Sequence, residues 1–285
     1  MQRESQGYIF GLLAAVAGPC MAVFTKLSVG VPVETLVFCR FAIGYPIFIW
    51  FMHKNNIHIS WRKMPKHFLR AISGLAALYC YFYAIQMIPL VNAVTLSNTK
   101  PLFMPFIALI WMKVLVSLKR FIAAVIGFTG VVVLIQPSMM SLELGGILGL
   151  LGGFLGAIAM MGIRQLSKTE SSETILSYYF VINTIVSFLP FAITFQTNLD
   201  LRQLFSLMMV GFFALIYQYA LTKAYTHAPA TKISTLNYLN VALGGLAGWL
   251  VFDEVPGGWV IAGISLIVFG TLLSIFDKSK PRSLI

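Results

Sequence analysis

Long apolar runs alternate with short polar connections over nearly the whole chain. Ten runs are distinguishable, at about 7–27, 33–52, 67–86, 90–112, 120–136, 145–166, 174–195, 204–223, 230–251 and 257–276. A helix rises about 1.5 Å per residue, so roughly 20 apolar residues cross a hydrocarbon core about 30 Å thick. Backbone polar groups in lipid must pair within their own segment, which makes each run a helix. The pattern therefore predicts an all-α membrane protein of ten transmembrane helices. Ala15-Val16-Ala17 in the first run resembles a signal-peptide cleavage site. The same pattern recurs inside the chain, and the run is read as a span.

The connections orient the bundle. Lys54, Arg62, Lys63 and Lys66 fall between the second and third runs, Lys113, Lys119 and Arg120 between the fourth and fifth, and Arg164 and Lys168 between the sixth and seventh. Lys223 and Lys232 flank the eighth connection, and Lys278, Lys280 and Arg282 form the tail. The alternate connections hold Glu34, Glu143, Asp200, Arg202, Asp253 and Glu254, with almost no lysine or arginine. The positive-inside rule then places both termini in the cytoplasm, and an even number of spans agrees. The expected location is the cytoplasmic (inner) membrane, crossed many times.

Composition removes several function classes. The 285 residues are 59% hydrophobic and 10% charged, against about 25% charged in soluble domains. A net charge of +11 would suggest nucleic acid in a soluble chain, but here the charges lie between spans and set orientation, so no nucleic-acid partner is expected. Cys20, Cys39 and Cys80 stand singly inside apolar runs, a spacing that implies neither a disulfide framework nor a metal site. His53, His58 and His67 cluster in one basic connection and read as solvated loop. No cofactor is implied.

An internal repeat emerges next. Gly11-Leu12-Leu13 with Gly18 and Lys26 matches Gly149-Leu150-Leu151 with Gly156 and Arg164, 138 residues on. Ala84 to Pro89 with Thr95-Leu96 matches Ala224 to Pro229 with Thr235-Leu236 at an offset of 140, and Tyr79 pairs with Tyr219 and Gly130 with Gly270. Residues 1–138 and 139–285 thus form two five-span repeats. Five is odd, so the second repeat enters the membrane inverted, an arrangement typical of alternating-access transporters.

The fourth run carries the most pointed chemistry. Asn98-Thr99-Lys100-Pro101 lies near its middle, about 14 Å in from Leu90 by helical rise, close to the bilayer midplane. A charge there costs roughly 2.5–3.5 kcal/mol, and such residues nearly always face a polar cavity. A structural role, with Lys100 snorkelling or pairing with a neighbour, is the other reading. Pro101 and Pro105 lack an N–H, which frees the carbonyls of Ser97 and Pro101. The repeat-equivalent ninth run offers Asn237, Tyr238 and Asn240. These side chains either converge with Asn98 and Lys100 on a midplane site or hydrogen-bond helix to helix. Runs three and eight carry Tyr79, Tyr81 and Tyr83, and Tyr217, Gln218 and Tyr219. Tyr79 and Tyr219 lie well inside their runs, where a phenol needs a partner in a ligand or another helix. Arg40, some seven residues into the second run, either snorkels toward Glu34 or adds positive charge to the cavity. No Asp or Glu lies deep in a run, an asymmetry that favours an anionic or zwitterionic ligand. The candidate binding residues are therefore Arg40, Tyr79, Asn98, Lys100, Tyr219, Asn237, Tyr238 and Asn240. Gly145, Gly149 and Gly153, and Gly244 and Gly248, have the spacing that brings helices close and read as packing.

Two five-span halves, Glu34 through Arg40-Phe41-Ala42, the Ala-Pro junctions at Pro89 and Pro229, and Asp253-Glu254 ending the ninth run together resemble the drug/metabolite transporter superfamily in its EamA-type branch. The resemblance implies transport of a small molecule without naming it. The chain departs from that pattern at Lys113, where the second half has Asp253, at Val241, where the first half has Pro101, and at Lys100 itself. The expected function is a secondary transporter of a small polar, amino-acid-like metabolite, anionic or zwitterionic, working as monomer or homodimer in contact with lipid. The alternatives are a flippase or exporter for lipid or lipophilic compounds and a non-transporting membrane scaffold. An intramembrane enzyme is disfavoured, because the runs hold no HExxH, GxSxG or paired aspartates.

Overall fold

The computed structural model describes residues 2–54, 63–112, 114–115, 118–135, 144–196, 198–228, 230–276 and 282–283. Pro229, Lys113, His58, Arg62, Glu143, Lys278 and Lys280 lie outside them. The described residues form eleven helices: α1 (Gln2–Leu27), α2 (Val33–Lys54), α3 (Met64–Met87), α4 (Leu90–Ser97), α5 (Lys100–Met112), α6 (Leu118–Ile135), α7 (Leu144–Leu166), α8 (Ser172–Thr194), α9 (Leu201–His227), α10 (Ala230–Phe252) and α11 (Gly258–Phe276). Two-residue strands β1 (Val114–Leu115) and β2 (Arg282–Ser283) pair antiparallel. Six stretches, within α1, α2, α3, α7, α8 and α9, are long and apolar enough to cross a bilayer. Shorter apolar stretches occupy Phe121–Leu134, Leu239–Phe252 and Gly258–Gly270.

Helix ends follow local chemistry more than hydropathy. Asp200 opens α9 with a reciprocal box: its carboxylate accepts from the Gln203 N–H at 2.6 Å, and the Gln203 side chain accepts from the Asp200 N–H at 3.0 Å. Those bonds satisfy donors a helix start otherwise leaves bare. Ser171 caps α8, its hydroxyl accepting from the Thr174 N–H at 3.2 Å.

The fourth apolar run is broken into α4 and α5. Pro101 has no N–H to offer the Ser97 carbonyl, and three polar side chains turn back on the backbone just before it. Thr95 donates to the Val91 carbonyl at 2.6 Å, Asn98 to that of Val94 at 2.8 Å, and Thr99 to that of Leu96 at 2.6 Å. Such bonds compete with the helical ladder. Asn98 leaves the helix with φ −91° and ψ 9°, and α5 restarts at Lys100.

Packing is reciprocal. α1 lies on α9, α3 on α7, α2 on α8, α4 on α10 and α6 on α11. An aromatic cluster fills the α2–α8 seam, where Phe48 stacks on Phe180 at 4.5 Å and Phe41 meets Tyr179 edge-on at 5.4 Å. In α6 and α11 the backbones themselves touch. A Cβ on Gly130 would lie 2.7 Å from the Ile267 nitrogen, and one on Gly270 2.6 Å from the Ala123 carbonyl oxygen.

Among the described residues, three ion pairs tie the helix ends. Lys26, closing α1, pairs with Glu254, just past α10, and donates to the Ile88 carbonyl at 3.2 Å. The second carboxylate oxygen of Glu254 accepts from the Leu90 N–H at 2.7 Å, so one acid joins α1, α4 and α10. Lys63 pairs with Glu170, and Lys223 with Glu173 at 2.5 Å. His67 corrects an expectation: it is not solvated loop but a buried residue of α3, stacked on Tyr178 at 3.9 Å. The helix starts earlier than the apolar run because Pro65 suits a first-turn position.

Candidate functional site

The helices line a central cavity that is partly open. Three cations line it: Arg40 from α2, Arg70 from α3 and Lys100 from the start of α5. Facing them are Tyr179 of α8, Tyr217 and Gln218 of α9 and Asn240 of α10. No Asp or Glu is among the lining residues.

Each cation is held without a counter-charge among the described residues. Arg40 is 3% exposed, lies over the Phe41 ring at 5.5 Å, and donates a long 3.5 Å bond to the Gln218 carbonyl oxygen. Gln218 is oriented in turn by donating to the Thr222 hydroxyl at 3.3 Å. Arg70 is also 3% exposed; its guanidinium covers the Tyr179 ring at 4.2 Å, and its Nε has no hydrogen-bond partner. Cation–π contact gains most when desolvated, as here. Gly74 makes that geometry possible, since a Cβ there would fall 2.5 Å from an Arg70 terminal nitrogen. Lys100, partly buried, runs its stem along α7, where a Cβ on Gly156 would lie 2.7 Å from its Cε. It makes no hydrogen bond or ion pair among the described residues.

The sequence candidates divide accordingly. Arg40, Asn98, Lys100 and Asn240 come together on the cavity, although the Asn98 amide donor is engaged by Val94. Tyr79 and Tyr219 do not line it. The Tyr79 hydroxyl is buried without a partner among the described residues, while Tyr219 packs edge-on to Phe10 at 6.0 Å with Lys223 above its ring at 5.7 Å. The Asn237 and Tyr238 side chains lie outside the described residues. Among the described residues, the tyrosines that reach the cavity are Tyr81, Tyr179 and Tyr217. Tyr81 and Tyr217 are each two residues from the expected ones. Two residues turn a helix by about 200°, onto the opposite face. Arg70 escaped the sequence reading because it follows Lys63 and Lys66 and looks like one more orienting charge. The available signal was its depth, about a turn inside an apolar run.

The EamA-like transporter family matches residues 5–136 and again 143–276. The chain is 29% identical over 264 residues to the pseudopaline exporter CntI of Pseudomonas aeruginosa, covering 92% of this chain and 93% of that protein. It is 25% identical over 284 residues to a riboflavin transporter of Vibrio cholerae (97% and 95% covered), and 25% over 239 residues to an S-adenosylmethionine uptake transporter of Rickettsia prowazekii (83% and 79%). A solved crystal structure superposes with a TM-score of 0.68 over 96% of this chain and 99% of that one, at 17% identity, and so shares the fold. With the family model matching residues 5–136 and 143–276, the chain belongs to the EamA-like transporter family.

Proposed function

We propose that this protein is a secondary transporter that moves a small anionic or zwitterionic, amino-acid-like metabolite across the cytoplasmic membrane by alternating access. In this reading ten spans, with α4 and α5 together forming one of them, make two inverted repeats, 1–138 and 139–285, with both termini cytoplasmic. Arg40, Asn98, Lys100 and Asn240 contact the substrate, joined by Arg70. Two rigid halves rocking about a central site would expose it to one side at a time.

Several observations support the repeat. The family matches twice, once in each half. The helices pair reciprocally, first on third and third on first, second on second. The Tyr83 hydroxyl donates to Glu34 at 2.5 Å, and at the positions 140 and 139 residues on Lys223 reaches Glu173. The relatives share transport and differ in what they carry, so the cargo class rests on this chain's own lining.

The observation that carries the proposal is that lining: three cations and no carboxylate around one central cavity. A ligand that binds only the folded protein raises its apparent stability by mass action. Thermal unfolding of the purified protein and of Lys100→Met, across anionic, zwitterionic and cationic metabolites, tests it. Stabilisation of the wild type by an anion or zwitterion, reduced in the variant, is expected. Stabilisation by cations, or equal stabilisation of both proteins, would refute the assignment.

A further inference from the structure

Six cations of the described residues fall into two groups. Lys26, Lys63 and Lys223, at helix ends, each pair with a glutamate. Arg40, Arg70 and Lys100, on the cavity wall, pair with none among the described residues. Both arginines are 3% exposed, so water compensates them little, and like charges around one low-dielectric space raise each other's energy. Among the described residues, Arg70 keeps a buried Nε with no acceptor, and Arg40 has one long bond, to a neutral amide.

The positions of the three matter as much as their number. Arg40 lies over Phe41 and Arg70 over Tyr179, and those rings are 5.4 Å apart. The two guanidiniums therefore occupy successive stations along one aromatic wall. Lys100 enters from a different wall, past Gly156 of α7. A single carboxylate satisfies one guanidinium bidentately and leaves the other cations bare.

Resting on the anion reading above and narrowing it, we propose that the cavity binds a multivalent anion, with at least two separated carboxylate or phosphoryl groups shared among Arg40, Arg70 and Lys100. Arg70 then sets valence: it engages an anionic group beyond the one that Lys100 can hold as a point charge. Tyr179 fixes the Arg70 fork in place by stacking.

The test is the thermal-unfolding midpoint of the purified protein with butyrate, succinate, tricarballylate and glycerol 3-phosphate, at matched ionic strength because salt screens such contacts. Affinity rising at least about tenfold from butyrate to succinate, a modest demand for a charge-assisted hydrogen bond, is the expected result. Arg70→Gln should flatten the series, and Arg70→Lys should restore part of its slope. Tighter binding of glycerol 3-phosphate than of tricarballylate marks a phosphoryl ligand, and the reverse order a polycarboxylate. Equal affinity for butyrate, succinate and tricarballylate overturns the multivalent claim while leaving the anion reading intact. Stabilisation by none of the four, or an unflattened series in Arg70→Gln, also overturns it, and stabilisation by the dication putrescine instead overturns both readings. Should Arg70→Gln fail to fold, Arg40→Gln supplies the same comparison.

Discussion

Replacing Glu254 by Gln removes one charge from the junction of α1, α4 and α10, at the end that faces outward in the proposed orientation. The carboxylate is engaged on both oxygens, by the Lys26 ammonium and by the Leu90 N–H at 2.7 Å. Hydrogen bonds to charged groups contribute about 1.5–3 kcal/mol each. Here the side chains are 18% and 20% exposed, and the glutamine oxygen still accepts from Leu90. Screening and this retained bond reduce the loss to about 1–2 kcal/mol. If the junction is made only when the cavity is shut on that side, the same energy shifts the open population about 5–30-fold. Met21, on α1 and lining the cavity, reports it. With Cys20, Cys39 and Cys80 replaced by alanine, Met21→Cys in intact cells should react with a membrane-impermeant thiol reagent faster by that factor when Glu254→Gln is added. Lys26→Met should give a similar gain, and the double variant little more, since the residues act as one unit. A labelling rate equal to the parent's in both variants would show that the junction braces the fold and does not gate the cavity.

Three further outcomes follow from the packing and the lining. Gly130→Ala should destabilise the protein by about 1–3 kcal/mol, as overpacking does, because its new methyl meets backbone that cannot yield; Gly257→Ala, with nothing within 4 Å, should leave the thermal midpoint unchanged by comparison. Tyr79→Phe deletes a buried hydroxyl with no partner and should keep transport intact while leaving stability equal or slightly raised, read by uptake and thermal unfolding together. Arg40→Met should weaken ligand-induced stabilisation yet preserve or raise the ligand-free midpoint, because an unpaired buried charge is replaced by an apolar chain; a lower midpoint with undiminished ligand binding would make Arg40 structural.

The sequence and the structure agree best where hydropathy and backbone demand coincide. The runs at 33–52 and 145–166 become α2 and α7 to within two residues. The run at 204–223 understates α9, because the Asp200–Gln203 box begins the helix before the apolar stretch does. The run at 90–112 reads as one span because hydropathy is blind to the bonds of Thr95, Asn98 and Thr99 that end α4. Pro101 was a visible sign of trouble there, but the place of the break was not. In the site, Arg40, Lys100 and Asn240 were legible from depth in an apolar run. Arg70 and the choice of Tyr81 and Tyr217 over Tyr79 and Tyr219 were not, because in a helix apolar on every side periodicity carries no facing information. That facing is decided by long-range contacts such as Arg70 on Tyr179.

The cavity's charge is unevenly shared. Arg40, Arg70 and Lys100 all precede residue 138, whereas Tyr179, Tyr217, Gln218 and Asn240 follow it. Under the proposed rocking motion an anion would travel as a passenger of the first half, gripped throughout, while the second half slides past it. Substitutions in the two halves should then differ in kind: those at the cations would change how tightly the cargo is held, and those at the facing amides and phenols how fast it is delivered.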